Sequence, residues 1–111
     1  MLTLDKLRDF GADVDKGIVR CMNKEDFYLM LVNKALGDTR VYQLEEELKN
    51  NNYHSAFEIA HTLKGMYANL SLTPLSAPIS EITELLRNKT VTDYSALINE
   101  AKTQFQKLCS L

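Results

Sequence analysis

The sequence predicts an all-α fold, an antiparallel up-down four-helix bundle with a short helical extension at its N-terminus. Apolar residues recur every three or four positions along most of the chain, which is the period of an amphipathic helix. Only four glycines and two prolines occur among the 111 residues, so few residues interrupt that period. The connections between the predicted long helices are short, and short connections favour antiparallel neighbours.

The composition fits one globular domain. The chain is 45% hydrophobic and 25% charged, values that are ordinary for a domain of this length. We therefore expect a single domain over residues 1–111, with the helical extension at 1–22 and the bundle at 23–111.

The extension is predicted to contain two short amphipathic helices. The first, TLDKLRDF, begins near Thr3 and ends at Gly11, and the second, DVDKGIVRCM, begins after Asp13. An aspartate is a good N-cap because its carboxylate accepts a hydrogen bond from a backbone N–H of the first turn.

The first helix of the predicted bundle is interrupted by Gly37 and Asp38, which break or kink the chain. KEDFYLMLVNKAL forms its first segment, with Asn23 as the cap, and TRVYQLEEEL resumes the helix. The first segment places four side chains on adjoining faces: Phe27, Met30, Leu31 and Lys34. The second segment has one apolar stripe: Val41, Leu44 and Leu48.

Three longer helices complete the predicted bundle. Asn51 is expected to end the preceding helix in the left-handed conformation, and Asn52 to cap a helix over 53–71. The next helix begins at Thr73-Pro74, since proline suits a first turn, and tolerates Pro78 near its start. The last helix, within VTDYSALINEAKTQFQKLCSL, carries apolar residues at three- and four-residue steps: Tyr94, Leu97, Ile98, Ala101, Phe105 and Leu108.

The helix over 53–71 has two distinct faces at about 100° per residue. One is an apolar stripe opposite His61, made of Ala56, Ile59, Leu63, Met66, Tyr67 and Leu70. The other lies within about 60° of His61 and comprises His54, Phe57, Glu58, Lys64, Gly65 and Ala68. His61 is therefore predicted to point away from the core.

Three residues of this second face together indicate a chemistry. Gly65 lies one turn from His61 and costs the helix roughly 0.5–1 kcal/mol relative to alanine, so its missing side chain is interpreted as space beside the imidazole. Lys64 offers a compact charge with three donors, which suits a phosphate. An imidazole with an ordinary pKa of about 6.5 is a nucleophile at neutral pH. The trio suggests reversible phosphorylation of His61.

Plainer interpretations exist for each residue alone. A solvated histidine and a solvated lysine would account for His61 and Lys64 separately, so the spacing makes the case. His54 is the internal comparison: Glu58 stands where its glycine would be needed, and His54 is interpreted as a surface residue. A metal site shared by the two histidines is not expected, because seven residues span about 10.5 Å of helix.

The stretch AHTLKGMYANLSL resembles the signature of histidine-containing phosphotransfer (HPt) domains, H-x-L-K-G-x-x-x-x-L-G. The matching residues are His61, Leu63, Lys64, Gly65 and Leu70. The segments GADVDKGIVRCMNKEDFYLMLVNKAL and LTPLSAPISEITELLRN are similar to the start of small free-standing bacterial HPt proteins and to the helix after their histidine helix. The resemblance covers nearly the whole chain.

The resemblance implies a phosphocarrier. His61 would accept a phosphoryl group through Nε2, Lys64 would steady the phosphoryl oxygens, and Gly65 would give access. The partner would be a response-regulator receiver domain or a hybrid histidine kinase, and the Mg²⁺ would belong to that partner. The chain has no G-x-x-x-x-G-K-[ST] loop, so an ATP-dependent kinase is not expected.

Two positions depart from the family pattern. Ser71 stands where the family has glycine after the leucine, which puts the end of the helix in question. Thr83 stands twenty-two residues after the histidine, where the family often has glutamine or glutamate to hold the imidazole, and its shorter hydroxyl is a candidate for that role. Arg87, one turn further on, is interpreted as a plain surface arginine, and the alternative is that it adds positive charge near the site.

Other functions use the same residues differently. A four-helix interaction module that is never phosphorylated would present the same face to a partner, with Phe57, Glu58 and Ala68 as candidate contacts. A kinase dimerisation fragment is less consistent with the sequence, because such fragments carry an acidic residue directly after the histidine, where this chain has Thr62.

Composition excludes several classes of partner. The net charge of −2 and the pI of about 5.6 give no basic surface for nucleic acid. No apolar run approaches the roughly 20 residues that span a membrane, and the first ten residues lack the features of a signal peptide. We expect a cytoplasmic monomer without a metal or cofactor of its own, in which Cys21 and Cys109 are reduced thiols.

Overall fold

A computed structural model describes residues 1–111, and the predicted all-α class is confirmed. The chain folds into seven helices without a strand. In chain order the helices are α1 (Leu4–Phe10), α2 (Val14–Arg20), α3 (Glu25–Leu36), α4 (Arg40–Lys49), α5 (Tyr53–Asn69), α6 (Thr73–Arg87) and α7 (Ser95–Cys109). None of them combines the length and the hydropathy needed to cross a membrane.

The last four helices surround one hydrophobic core. Helix α5 packs against α4 on one side and α6 on the other, and α7 packs against both α6 and α4. The core takes one stripe from each helix, as the predicted stripe of α4 illustrates: Val41, Leu44 and Leu48 are all buried. Helix α5 is thereby fixed along one face while its opposite face stays free, and this free face carries the candidate site.

The N-terminal extension packs against the end of α5. Gly17 of α2 lies so close to Tyr28 of α3 that an added Cβ would come within 2.4 Å of the tyrosine ring. The Tyr28 hydroxyl in turn donates to the Leu70 carbonyl oxygen at 2.9 Å. The backbone N–H of Asp13 donates to the Ser71 carbonyl oxygen at 3.0 Å. These contacts hold the loop between α5 and α6.

Most predicted helix ends are confirmed. Thr3 and Asp13 are N-caps whose side chains accept from backbone N–H groups one turn later, and Gly11 ends α1 at a φ of 112°. Asn51 adopts the expected left-handed conformation at a φ of 57°. Asn52 occupies the N-cap position of α5 without a capping side-chain bond.

The predicted cap of α3 is wrong. Lys24, not Asn23, is the N-cap residue, and it makes no capping side-chain bond. Asn23 instead closes the end of α2: its φ is 58° and its N–H donates to the Ile18 carbonyl oxygen. Because that N–H and backbone conformation serve the preceding helix, Asn23 is not free to begin the next one.

Helix α3 buries Tyr28, Val32 and Ala35, whereas Met30 is 55% exposed. The predicted apolar stripe of α5 needs correction. In α5 the buried set includes Ala60, which was not predicted, and Ile59 and Met66 are only partly buried. The rest of the predicted α5 stripe is buried: Ala56, Leu63, Tyr67 and Leu70.

Candidate functional site

The candidate site is centred on His61, near the middle of α5. The side chain is exposed, on the face opposite the buried Leu63 and Tyr67. Eight helical residues precede it and eight follow, so the imidazole lies beyond the reach of the dipole at either helix end, which falls off within one turn. The predicted outward position of His61 is confirmed.

Gly65 leaves open space next to His61. A Cβ built on Gly65 would meet no atom within 4 Å, whereas the same atom on Gly17 would collide with Tyr28. Packing therefore explains the glycine of α2 but not the glycine of α5. The predicted vacancy on the His61 face is a property of the folded chain.

Lys64 does not extend freely into solvent. Its Nζ lies 2.9 Å from Oε1 of Glu84 on α6, and Nε of Arg87 lies 3.3 Å from the other oxygen of the same carboxylate. The hydrogen bond from Lys64 is the main cause that lowers the pKa of Glu84, with Arg87 contributing. One carboxylate thus joins two cations beside the site.

The His61 ring packs on an aromatic neighbour. It stacks on Phe57 with ring centroids 5.7 Å apart and an interplanar angle of 10°. The Arg87 guanidinium carbon lies 5.2 Å from the centroid of the Phe57 ring, within the range of a cation–π contact. Phe57 therefore orients the imidazole, and Arg87 orients Phe57.

Thr83 does not occupy the position that its place in the sequence suggested. It is fully buried, and its hydroxyl donates to the Ile79 carbonyl oxygen at 2.7 Å. The Thr83 hydroxyl group thus donates its hydrogen bond within its own helix, whereas the His61 imidazole lies at the surface. The next residue, Glu84, is the α6 side chain that contacts Lys64.

Two of the predicted flanking residues have partners within the chain. His54 is 88% exposed and its Nε2 lies 3.0 Å from Oε1 of Glu58. The Ala68 side chain is exposed on the His61 face, and its carbonyl oxygen accepts from Arg20 at 2.6 Å. Arg20 brings a positive charge from α2 to the far end of this face.

Ser71 defines the end of α5. Helix α5 stops at Asn69, and Ser71 follows in the left-handed region at a φ of 54°. The N–H of Leu72 donates to the Tyr67 carbonyl oxygen and that of Ser71 to Ala68, both at 3.0 Å. This pair of bonds is a Schellman motif, in which glycine is the usual residue at the left-handed position.

An apolar cleft opens beside the site, between the start of α5 and the end of α6. Its volume is about 650 Å³. The cleft has an apolar wall with basic groups around it, and its lining includes Tyr53, His54, Phe57, Leu86, Arg87 and Val91. Because Phe57 also stacks on His61, the cleft and the imidazole share one wall.

Sequence reasoning missed two of these residues. Glu84 and Arg20 reach the His61 face from α6 and α2, so their roles depend on how the helices pack. The only local signal was the spacing of Glu84 and Arg87, which allows an ion pair within one helix. No group of three or more histidine, cysteine, aspartate or glutamate side chains lies close enough together to hold a metal ion.

The arrangement can support transfer of an anionic group to nitrogen. It combines an exposed imidazole held by an aromatic ring, space one turn away, and a lysine that is 33% exposed.

The family model described as Hpt domain matches residues 35–110. The comparisons with curated proteins and with solved structures gave no match.

Proposed function

The chain belongs to the Hpt domain family, whose model matches residues 35–110, and on that premise we propose that His61 is its phosphoacceptor. The family serves phosphorelays in general. Our proposal is that His61 accepts a phosphoryl group from an aspartate of one receiver domain and passes it to an aspartate of another. The observation that carries the proposal is the open space at Gly65 beside the exposed His61.

The proposed step is a displacement at phosphorus. The Nε2 lone pair of a neutral His61 attacks the phosphorus of an aspartyl phosphate, an N–P bond forms, and the P–O bond to the aspartate breaks. The aspartate leaves as a carboxylate, and the ring carries its proton on Nδ1. Such transfers depend on positioning and charge neutralisation, to which Phe57 and Lys64 contribute from this chain.

Mg²⁺ is expected in the partner receiver domain, where it would neutralise charge on the phosphoryl group. This chain contributes the acceptor nitrogen, Lys64 and the space above Gly65. We propose that it acts as a phosphocarrier and not as an ATP-dependent kinase.

The proposed partner surface runs along the exposed face of α5. Phe57 and Ala68 lie on either side of His61, Glu58 lies at its edge, and the apolar cleft next to Phe57 offers a place for an apolar side chain of the partner. Arg87 and Lys89 at the cleft favour a partner with acidic groups near its contact surface. The partner is a receiver domain, free or attached to a hybrid kinase.

We also propose the finer features of the predicted fold. Connections of three residues join α4 to α5 and α5 to α6, which supports an up-down order with antiparallel neighbours in a single domain. A cytoplasmic monomer suits a carrier that must meet successive partners.

The first prediction concerns the acceptor residue. His61→Gln should abolish uptake of acid-labile, base-stable phosphate from phosphoramidate and from phosphorylated receiver domains of the same genome, while the helical circular dichroism stays unchanged. Gel autoradiography or intact mass measures the uptake.

His54→Gln is the matched control, since it changes the other histidine of the same helix face. It should leave uptake from phosphoramidate, which needs no partner surface, close to that of the unaltered protein. Uptake by His61→Gln would refute the assignment, and binding of receivers without any phosphate uptake would favour the unphosphorylated interaction module.

A further inference from the structure

We infer that Glu84 is a positioning residue that holds Lys64 in the unphosphorylated state and is displaced from it by the phosphoryl group on His61. This inference rests on the proposed function of His61. It assigns a role to a residue of α6 that the family signature on α5 does not contain.

The geometry shows that Lys64 is occupied. Its Nζ lies 2.9 Å from Oε1 of Glu84, which is hydrogen-bonding distance as well as ion-pairing distance. The carboxylate is held in turn by Arg87, at 3.3 Å on its second oxygen. Lys64 therefore points across to α6, and its charge is already paired with Glu84 before any group is added to His61.

The ion pair is exposed enough to exchange. The Lys64 side chain is 33% exposed and that of Glu84 is 47% exposed. Ion pairs in such positions contribute little free energy and therefore open readily. A phosphoryl group carries roughly −1.5 to −2 charges near neutral pH, more than a carboxylate. It can therefore compete with Glu84 for the lysine, which lies on the next turn of α5 from His61.

Displacement leaves Glu84 with a second cation. Its other oxygen stays on Arg87, and Arg87 remains over the Phe57 ring that stacks on His61. The carboxylate is thus not left without a partner when Lys64 moves. Because Glu84 competes for Lys64, it lowers the stability of phosphorylated His61. It therefore favours transfer of the phosphoryl group to the next receiver domain.

The test measures the phosphorylation equilibrium directly. Phosphoramidate and His61 exchange a phosphoryl group with release of ammonia, so the phosphorylated fraction at a fixed ratio of phosphoramidate to ammonia gives an equilibrium constant by ³¹P NMR or intact mass. Glu84→Gln should raise that constant about two- to fivefold at low salt, the range expected for one exposed ion pair. The increase should shrink in 1 M salt, which screens exposed charges.

Glu81→Gln is the matched control. Glu81 is also exposed on α6 and makes no ion pair. Its substitution therefore removes the same charge without removing a contact of Lys64. It should leave the constant unchanged. In a Lys64→Met background the effect of Glu84→Gln should disappear, because the competition needs the lysine.

Each outcome is decisive. Equal constants for the Glu84 and Glu81 variants overturn the inference, and so does an effect that persists without Lys64. Failure of the unaltered protein to take up phosphate at His61 overturns the proposed function itself, and this inference with it.

Discussion

Gly65 weakens α5 without relieving any steric conflict. A Cβ built on Gly65 would meet no atom within 4 Å. The residue is exposed to solvent and lies away from both ends of its helix. A glycine in that setting costs roughly 0.5–1 kcal/mol compared with alanine. The proposed function supplies a reason for this cost, because a partner that approaches His61 from outside the chain needs the space.

Replacing this glycine should separate stability from transfer. Gly65→Ala should raise the free energy of unfolding by about 0.5–1 kcal/mol, as measured by denaturant titration. Gly65→Glu should block transfer from a phosphorylated receiver through bulk and charge, as measured by loss of label on His61.

Gly17→Ala is the matched comparison for stability. Its Cβ would lie 2.4 Å from the Tyr28 ring, so it should lower the free energy of unfolding by about 1–3 kcal/mol. A Gly65→Glu variant that transfers at the normal rate would refute the view that the space admits a partner.

The sequence alone predicts which residues share one face of a helix. It does not predict which residues of different helices come into contact. His61, Lys64 and Gly65 lie within two turns of α5, so their common face follows from the helical period alone. Which α6 residue faces them depends on the rotation of α6 about its axis. The neighbouring position, Thr83, faces the core, and Glu84 contacts Lys64.

At the scale of the element, the end of α5 is set by Ser71. A left-handed residue with a side chain is strained by roughly 1–2 kcal/mol, yet this serine gains a contact that glycine could not make. Arg20 donates to the Ser71 hydroxyl oxygen at 2.9 Å and to the Ala68 carbonyl oxygen. The departure from the family pattern is thus compensated by α2 and does not extend or fray the helix.

Two substitutions should separate these effects. Ser71→Gly relieves the strain and loses the Arg20 bond, so its stability should stay close to that of the unaltered protein. Ser71→Ala loses the bond and keeps the strain, so it should be less stable than Ser71→Gly by about 1 kcal/mol. Thermal and denaturant unfolding measure the order, and the reverse order would contradict the account.

Helix ends were predictable where one residue serves one helix. Thr3, Asp13 and Gly11 each mark a single boundary, and their side-chain and backbone chemistry suits it. Asn23 stands between two helices only a few residues apart, and either one can use it. Its N–H closes α2, a choice that depends on tertiary packing and not on its own preference for caps.

For the whole molecule, two fully buried tyrosines are expected to contribute most to the response to alkaline pH, and burial also raises the pKa of Tyr94. Tyr28 and Tyr67 are fully buried. Burial raises the pKa of Tyr28 to about 12 and raises that of Tyr67 further. The Tyr28 hydroxyl donates to Leu70, whereas the Tyr67 hydroxyl has no partner.

Stability should therefore fall as the pH rises from about 10 towards 12. In this window the unfolded chain releases tyrosine protons at the ordinary pKa of about 10, while the folded chain keeps them. Each tyrosine contributes a slope of about 1.4 kcal/mol per pH unit, and its contribution is fully present below pH 10. Denaturant unfolding between pH 7 and 12 measures the decline.

Phenylalanine at either position should flatten that decline. At pH 7, Tyr67→Phe should not reduce stability, because it removes an unpartnered hydroxyl, whereas Tyr28→Phe should cost about 1 kcal/mol through the lost hydrogen bond. A decline of the same steepness in both variants would show that other groups control it.

The contacts of Tyr28 and Arg20 with the end of α5 have a consequence for how this chain can vary. Both residues precede position 35, where the match to the family model begins, yet they fix the loop that ends the histidine helix. The region that the family model matches is therefore smaller than the region whose contacts hold the histidine helix in place. Substitutions in the first 34 residues lie outside that match, yet those at Tyr28 or Arg20 remove contacts with the end of the helix that carries His61.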